Sequence, residues 1–302
     1  MLSVLIPTYN YDCTQLVNDL CTLFDTIDED VEIIVGDDCS TRVDVSTALR
    51  TLNELPHCQC IRLQQNVGRS AIRNYLAQQA RGEWLLYLDS DGGIVSKDFL
   101  KNYWEVRDKA MVIEGSIIHP PHCPAPNLSL RYYYEKSAEP MFTAAERNKE
   151  PYACFRTFNF MVRRDVMLRV PFNERFHRYG YEDILFGINL QNQGVSVLHI
   201  DNPLMNLDIE TNAVFLNKVN EANTTLIEFY DELRLNSRIV HSYELLVKWH
   251  IEPMVRILFK CVQSLIIKQL LSSKPSVFLF NCYKLGNFSC LMKSNCLLYT
   301  SD

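Results

Sequence analysis

Two aspartates separated by a single residue follow a strongly apolar part of the chain. Asp89 and Asp91 flank Ser90 directly after Trp84–Leu88. Paired carboxylates at a strand end can hold a hard divalent cation through oxygen ligands, and such a cation would neutralise a diphosphate leaving group. An ordinary acidic turn has the same composition, so the position after the apolar run is what favours a metal site.

A second acidic pair, Asp37 and Asp38, follows the apolar run Glu32–Val35. A carboxylate there can accept hydrogen bonds from a nucleobase N–H or a ribose hydroxyl. With Ser40 and Thr41 next in the chain, the pair can equally cap a helix. The pair alone leaves both interpretations open.

The third segment that could carry chemistry begins with a glycine and contains two arginines. Gly68 precedes a helical pattern in which Arg69 and Arg73 lie four residues apart, on one face. A helix N-terminus with arginines suits a phosphate group. A solvated basic face paired to nearby acids is the alternative interpretation.

The fourth segment places two acids at the start of a helix. Gly180 and Tyr181 precede Glu182 and Asp183, and buried-type residues follow. One carboxylate could act as a general base on an acceptor hydroxyl, and Gly180 would leave room for the acceptor. Capping by favourable interaction with the helix dipole is the simpler alternative.

These segments must be positioned by strands and helices that alternate along the first hundred residues. Continuous apolar runs suggest strands covered on both faces, and strand–helix alternation predicts an α/β fold with a mostly parallel sheet. Ligands of such sheets bind beyond the carboxyl ends of the strands. We therefore expect one crevice lined by Thr8, Tyr9, Asp37, Asp38, Asp89 and Asp91. The predicted strands are 3–6, 32–35, 59–63, 84–88, 157–162 and 195–200, and the predicted helices are 14–25, 44–55, 68–80, 164–168 and 182–194.

The remainder of the chain divides into two kinds of sequence. Residues 115–156 are rich in proline and tyrosine and predict a loop-rich flap, whereas the pattern after Val214 stays helical. We expect a catalytic domain over 1–220 and a helical C-terminal extension over 221–302. Within it, 250–271 predicts an amphipathic helix that would lie on a membrane surface, on the catalytic domain or on a dimer partner. The oligomeric state stays open, and residues 296–302 resemble a translated adapter more than a natural terminus.

Composition excludes several classes of protein. The formal net charge of −6 gives no general affinity for nucleic acid. Eleven cysteines at irregular spacing do not form a disulfide framework, and we expect reduced thiols in a cytoplasmic protein. Met1–Pro7 lacks the basic region of a signal peptide, so we expect no secretory leader.

Taken together, the segments resemble family 2 glycosyltransferases with a GT-A fold, which use nucleotide sugars and invert the anomeric centre. The resemblance covers roughly residues 1–220. The segments that carry it occur in the family order: Ser3–Asn10, Glu32–Ser40, Asn66–Asn74, Asp89–Asp91 and Gly180–Asp183.

The resemblance implies a role for each matched residue. Asp183 would be the catalytic base, with Glu182, Gly180 and Tyr181 binding the acceptor. Asp91 and Asp89 would hold Mn²⁺ or Mg²⁺, with Asp91 the direct ligand. The nucleotide, usually uridine diphosphate, would contact Pro7, Thr8, Tyr9, Asp37, Asp38, Gly68, Arg73, Asp89 and Ser90.

One position departs from the family pattern. Many members carry a histidine, often a further metal ligand, where this chain has Asn206. An amide is a poorer metal ligand than imidazole. His199 comes earlier, inside a predicted strand, and we expect it to belong to the core.

The sequence thus predicts an inverting transferase that moves a sugar from a nucleotide sugar to a glycan or lipid-linked acceptor in surface polysaccharide synthesis. A nucleotidyltransferase would carry a glycine-rich loop after the first strand, and Pro7–Asn10 is not one. A catalytically impaired nucleotide-sugar-binding or scaffold protein is the alternative, and only Asn206 favours it. The resemblance would allow a peripheral location on the inner membrane face.

Overall fold

The structure, a computed structural model, describes the backbone of residues 1–299 and the side chains of residues 1–294. The segment 296–302 therefore lies outside the fully described residues. The chain forms two compact units. The first unit comprises Met1–His119, Glu139–His177 and Glu182–Asp208, and the second comprises Pro120–Ala138, Arg178–Tyr181 and the chain from Ile209 on.

Strands and helices alternate through the first half of the chain, and from Asn206 to residue 299, where the described backbone ends, the regular elements are helices. The strands are β1 Leu2–Thr8, β2 Val31–Asp37, β3 Cys58–Arg62, β4 Trp84–Leu88, β5 Gly92–Ile94, β6 Val112–Glu114, β7 Ile117–Ile118, β8 Asn159–Arg163, β9 Val197–His199 and β10 Leu204–Asn206. The α-helices are α1 Thr14–Cys21, α2 Val43–Thr51, α3 Arg69–Gln79, α4 Phe99–Trp104, α5 Ser129–Ala138, α6 Ala144–Arg147, α7 Arg164–Arg169, α8 Glu182–Asn192, α9 Asn212–Glu228, α10 Tyr230–Leu233, α11 Arg238–Lys248, α12 Glu252–Leu270 and α13 Val277–Tyr299.

The first unit is built on a seven-stranded sheet in the order β3-β2-β1-β4-β8-β6-β9. The strands β3, β2, β1 and β4 are parallel neighbours, so the predicted α/β fold with a mostly parallel sheet is confirmed. The register pairs Thr8 with Asp37, and Leu5 with Tyr87. The polar residues that follow β1, β2 and β4 consequently emerge at one edge of the sheet.

Both faces of this sheet are covered by helices, as the continuous apolar runs predicted. Val4 and Ile6 pack into one cluster with residues of α1, α2 and α4. Leu5, between them, packs into the opposite cluster with residues of α3, α7 and α8. Strand β2 is buried along its whole length, from Val31 to Asp37. Its last residue, Asp37, and the following Asp38 therefore lie at the edge of the sheet where this strand ends.

Several details differ from the sequence expectations. Strand β8 runs antiparallel to both of its neighbours, β4 and β6, a direction that the expectation of a mostly parallel sheet left open. A second sheet of three short strands, β5-β10-β7, was not predicted, since strands of two or three residues carry little periodicity. The segment 115–156 also holds helices α5 and α6.

The second unit is helical within the residues described. Its core combines Leu130 of α5 with Phe215 of α9, Phe259 of α12 and Phe280 of α13. Helix α9 crosses residue 220, where the sequence suggested a boundary. Over the described residues, every helix is either too short or too polar to span a bilayer.

Candidate functional site

The loop after β1 is fixed to the loop after β2 by a single asparagine. Asn10 has a left-handed φ of 55°, and its Oδ1 accepts from the backbone amides of Thr41 (2.8 Å) and Arg42 (3.0 Å). The Asp38 amide donates to the Thr8 carbonyl at 2.9 Å. Tyr9, beside Asn10, is 47% exposed. The strand-end residues are thus held in place while the Tyr9 ring faces solvent.

Asp37 is bound on both carboxylate oxygens. Its Oδ1 accepts from the Ser40 amide at 2.7 Å, and its Oδ2 pairs with Arg62 at 2.8 Å. The side chain is 2% exposed. Asp37 therefore shapes the loop after β2, and Arg62 is a partner that the sequence interpretation did not single out.

Asp38 joins two segments that the sequence treated separately. Its Oδ1 accepts from the Val67 amide at 2.8 Å, and its Oδ2 accepts from the Gly68 amide at 2.9 Å. Burial raises the pKa of Asp38, and these two hydrogen bonds oppose the rise. Gly68 adopts φ +86°, a conformation that glycine reaches without strain. Asp38 accordingly fixes the entry of helix α3.

Asp89 is bound by both arginines of α3. Arg73, 2% exposed, donates from Nη2 to Oδ1 at 2.7 Å, and Arg69 lies 3.4 Å from Oδ2. The predicted placement of both arginines on one helix face is realised here. The Nε of Arg73 is buried without a hydrogen-bond partner, as is the hydroxyl of Ser70. Most buried polar groups in folded proteins have a hydrogen-bond partner, so these two atoms are exceptions.

Asp91 lies at the junction of the two sheets. Its carbonyl accepts from the Leu207 amide at 2.9 Å, which brings the end of β10 beside it. Burial, then the charges of Asp91 and Asp208, raise the pKa of Tyr11. The intervening Ser90 is partly exposed. Tyr11 and Asp208 thus stand near Asp91, although neither belonged to the predicted site.

Asn206, the residue at the departure from the family pattern, is fully buried. Its Oδ1 accepts from the Asp208 amide at 3.2 Å, while its Nδ2 has no partner. His199 is also buried, and its ring contacts Glu114, Arg147 at 3.0 Å and the Pro151 carbonyl at 2.8 Å. Both ring nitrogens of His199 are engaged in the core, where the sequence expected it.

The donor atoms near Asp91 suit a hard cation that takes only one or two of its ligands from the protein. Among the residues described, no set of three His, Cys, Asp or Glu side chains is arranged to hold a metal ion. Mg²⁺ is typically held by one or two carboxylates together with substrate phosphates. Asp91, with Asp208 nearby, offers that kind of donor set, so the residues fit a cation shared with a phosphate-bearing substrate.

Two consecutive left-handed residues precede helix α8. Gly180 has φ +101°, and Tyr181 has φ +69°, a conformation that side chains rarely adopt. A Cβ on Gly180 would come within 2.9 Å of the Ala222 Cβ. The Thr225 hydroxyl donates to the Tyr179 carbonyl at 3.1 Å. The turn before Glu182 is therefore tightly specified, and Gly180 is required by backbone geometry.

Asp183 is the acid whose ionisation is most disturbed in the predicted set. Burial, then the charge of Glu182, raises its pKa to about 6. A hydrogen bond from the Ile184 amide (2.8 Å) and the cations Arg156 and Arg69 oppose the rise. A carboxyl with such a pKa is largely ionised at neutral pH yet close enough to its transition to accept a proton, as a general base requires.

Comparison with known proteins identifies the family. Residues 3–170 match the profile described as "Glycosyl transferase family 2". This chain belongs to glycosyltransferase family 2. The match covers β1 to α7 and includes Asp38, Arg73 and Asp91, whereas Asp183 follows the matched region.

Two relatives resemble parts of the chain. The poly(ribitol-phosphate) β-N-acetylglucosaminyltransferase TarS of Staphylococcus aureus is 35% identical over 103 residues, which is 33% of this chain and 18% of TarS. An uncharacterised glycosyltransferase of Haemophilus influenzae is 29% identical over 148 residues, which is 49% of this chain and 47% of that protein. The matches therefore span less than half the length of either relative.

Solved structures support the same fold over the whole chain. S. aureus TarS superposes with a TM-score of 0.54 at 20% identity, covering 97% of this chain and 55% of TarS. The mannosyltransferase PcManGT from Pyrobaculum calidifontis, solved with GDP-Man and Mn²⁺, gives 0.60 at 14% identity, covering 100% and 88%. The chain has the GT-A fold, as expected.

Proposed function

We propose that this glycosyltransferase moves a sugar, with inversion, from a nucleoside-diphosphate sugar to a hydroxyl of a glycan or lipid-linked acceptor, in surface polysaccharide synthesis. One observation carries the proposal. Arg69 lies near both the strand-end acid Asp89 and Glu182, the neighbour of Asp183. This shared contact supports the assignment of the strand-end acid and the acids at the start of α8 to one site of the first unit.

On the donor side we assign the nucleoside to the loops after β1 and β2. Tyr9 offers an exposed ring there, and the oxygens of Asp38 keep lone pairs beyond the two that Val67 and Gly68 use. The remaining proposed contacts are Pro7, Thr8, Asp37, Gly68, Arg73, Asp89 and Ser90. We expect the base to be uracil, on the family resemblance. PcManGT, of the same fold, binds a guanosine donor.

We propose that Asp91, as the direct ligand, would hold a divalent cation, Mn²⁺ or Mg²⁺. Asp89, which pairs with Arg69 and Arg73, would be the second residue of this cation site. When bound, the cation would offset the negative charge that develops on the leaving diphosphate. The Mn²⁺ in the PcManGT complex supports this assignment.

On the acceptor side we assign Asp183 as the base. It would take the proton of the acceptor hydroxyl while that oxygen bonds to the anomeric carbon and the bond to the diphosphate breaks. The pKa of about 6 suits this role, because the carboxylate is largely ionised at neutral pH and can still accept a proton. Glu182, Gly180 and Tyr181 would line the acceptor path.

For the domain organisation we propose a catalytic domain over 1–220 and a helical C-terminal extension over 221–302. Helix α12 carries Met254, Ile257, Leu258 and Leu265 at 60–70% exposure on one face. Lys260 and Lys268 are exposed on the same helix. This amphipathic pattern supports peripheral contact with the inner face of a membrane.

A panel of nucleotide sugars tests the main proposal. Binding is measured by calorimetry with Mn²⁺, with Mg²⁺ and with a chelator, and hydrolysis is followed by release of the nucleoside diphosphate. We expect one UDP-sugar to bind more tightly in the presence of the cation. Failure of every nucleoside diphosphate and nucleotide sugar to bind would reject the proposal, and binding without turnover on any acceptor would favour an impaired enzyme or scaffold.

A further inference from the structure

Arg69 contacts two acids that come from different segments of the first unit. Its Nη2 lies 3.4 Å from Oδ2 of Asp89, and its Nε lies 3.6 Å from Oε1 of Glu182. The side chain is 46% exposed, whereas the neighbouring Arg73 is 2% exposed. Arg73 already donates to Asp89 at 2.7 Å. Asp89 therefore has an ion-pair partner besides Arg69. The Nε of Arg69 lies near a second carboxylate, that of Glu182.

We infer that Arg69 is a positioning residue of the transfer reaction, whose guanidinium links the nucleotide-side acid Asp89 to the acceptor-side pair Glu182 and Asp183. The inference rests on the proposed function, because it gives those acids their roles. A guanidinium presents five N–H donors in a rigid fork, so one arginine can serve two carboxylates at once.

The link has an electrostatic consequence for the base. The charged groups that face Asp183 are Glu182 on its own helix, Arg156 before β8, and Arg69 on α3. Glu182 disfavours the ionised form of Asp183, and the two arginines favour it. Loss of Arg69 would remove one cation directly and would also leave Glu182 without its Arg69 contact.

The competing explanation is a solvated basic face that contributes nothing to the reaction. The distances from Arg69 to its two acids, 3.4 and 3.6 Å, are those of loose ion pairs. Asp89 and Glu182 are 15% and 9% exposed, but Arg69 itself is 46% exposed and Asp89 keeps its pair with Arg73, so replacement of Arg69 should leave the fold intact. An effect of such a replacement on the base would therefore not arise from unfolding.

Arg81 provides a matched control within the same unit. Its side chain is 73% exposed and pairs with the buried Glu32 at 2.7 Å, at the opposite end of helix α3 from Arg69. The variants Arg69→Met, Arg69→Lys and Arg81→Met are compared with the wild type. Lysine keeps the charge but lacks the fork, and methionine keeps only the length of the side chain.

The first measurement needs no turnover. In protein labelled with ¹³C at aspartate carboxyls, and with Asp183→Asn used for assignment, Asp183 should titrate at higher pH in Arg69→Met than in the wild type. Arg81→Met should match the wild type, and Arg69→Lys should lie close to it. An unchanged titration in Arg69→Met overturns the inference, whether or not the protein transfers sugar.

The second measurement separates binding from chemistry. We expect Arg69→Met to bind the nucleotide sugar within about threefold of wild type, because Arg73 still holds Asp89, and to lose 10- to 100-fold in kcat. Arg69→Lys should recover part of that loss. A kcat equal to that of Arg81→Met overturns the inference, as does a loss confined to donor affinity. Absence of nucleotide binding in the wild type would reject the proposed function instead.

Discussion

The carboxylates of this site fall into two groups that are built differently. Asp37 and Asp38, at the strand ends, each receive hydrogen bonds on both oxygens, from Ser40 and Arg62 or from the α3 entry. Among the residues described, Asp183, at the start of α8, accepts one hydrogen bond, from the Ile184 amide. The strand-end acids are therefore fixed parts of the loops, while Asp183 keeps an oxygen available for a proton.

This difference follows from what each group must do. An acid that shapes a binding loop gains by being satisfied in advance, because a rigid loop needs less ordering when the ligand arrives. An acid that accepts a proton must lie near its transition between charged and neutral forms. Burial and Glu182 bring the pKa of Asp183 to about 6, which meets that requirement.

The strongest test of the contrast is Asp183→Asn. If Asp183 is the base, kcat should fall by about 100- to 10,000-fold, the usual contribution of general acid–base catalysis. Donor affinity, measured by calorimetry with the nucleotide sugar found in the panel, should stay close to wild type. A variant that retains most of its kcat would contradict the assignment.

The stability of the same variant provides its control. Because the folded state raises the pKa of Asp183 to about 6, ionising this carboxyl lowers the free energy of unfolding, and above pH 6 that cost is present in full. Asparagine removes it. Urea unfolding at pH 7 should therefore find Asp183→Asn at least as stable as wild type. Loss of activity together with loss of stability would point to a structural role.

In contrast to Asp183→Asn, the variant Asp38→Ala is expected to lose stability. Removing this carboxylate leaves the Val67 and Gly68 amides without their acceptor, which should cost about 1–3 kcal/mol in the free energy of unfolding. Nucleotide-sugar affinity should fall with it, because the entry of α3 loses its anchor. Urea unfolding and calorimetry measure both effects.

Asp38→Asn is the graded partner of that variant, since its single amide oxygen can accept from one of the two amides well. We expect an intermediate loss of stability. A free energy of unfolding within about 0.5 kcal/mol of wild type for Asp38→Ala, the usual range of surface changes, would show that these hydrogen bonds do not fix the loop.

The sequence was most informative where the site depends on strand ends. Apolar runs and their order predicted that Asp38 and Asp89 meet at one edge, because parallel strands align their carboxyl ends. It was less informative about partners distant in the chain. That Arg62 pairs with Asp37, and Asp208 approaches Asp91, depends on strand register and on a three-residue strand that leaves almost no periodic signal.

The pH dependence of turnover is the smallest of the expected effects. It measures directly how the ionisation of Asp183 differs from that of an ordinary carboxyl. A carboxyl in the ordinary range would leave activity flat down to about pH 4. Burial and the Glu182 charge favour the protonated form of Asp183 and raise its pKa to about 6. As the pH falls below 6, the base is lost, so kcat/KM should drop about tenfold per pH unit.

The variant Glu182→Gln shows whether the fall of kcat/KM at low pH, the acid limb of the profile, arises from the titration of Asp183. Removing the neighbouring negative charge makes ionisation of Asp183 easier, so the acid limb should move to lower pH while burial still keeps it above the ordinary range. The height of the profile can fall as well, because Glu182 is assigned to the acceptor path, but its position reports only the base. A limb that stays at the same pH in Glu182→Gln would assign the titration to another group. The difference between the strand-end acids, which are bonded on both oxygens, and Asp183, which is bonded on one, would then have no role in catalysis.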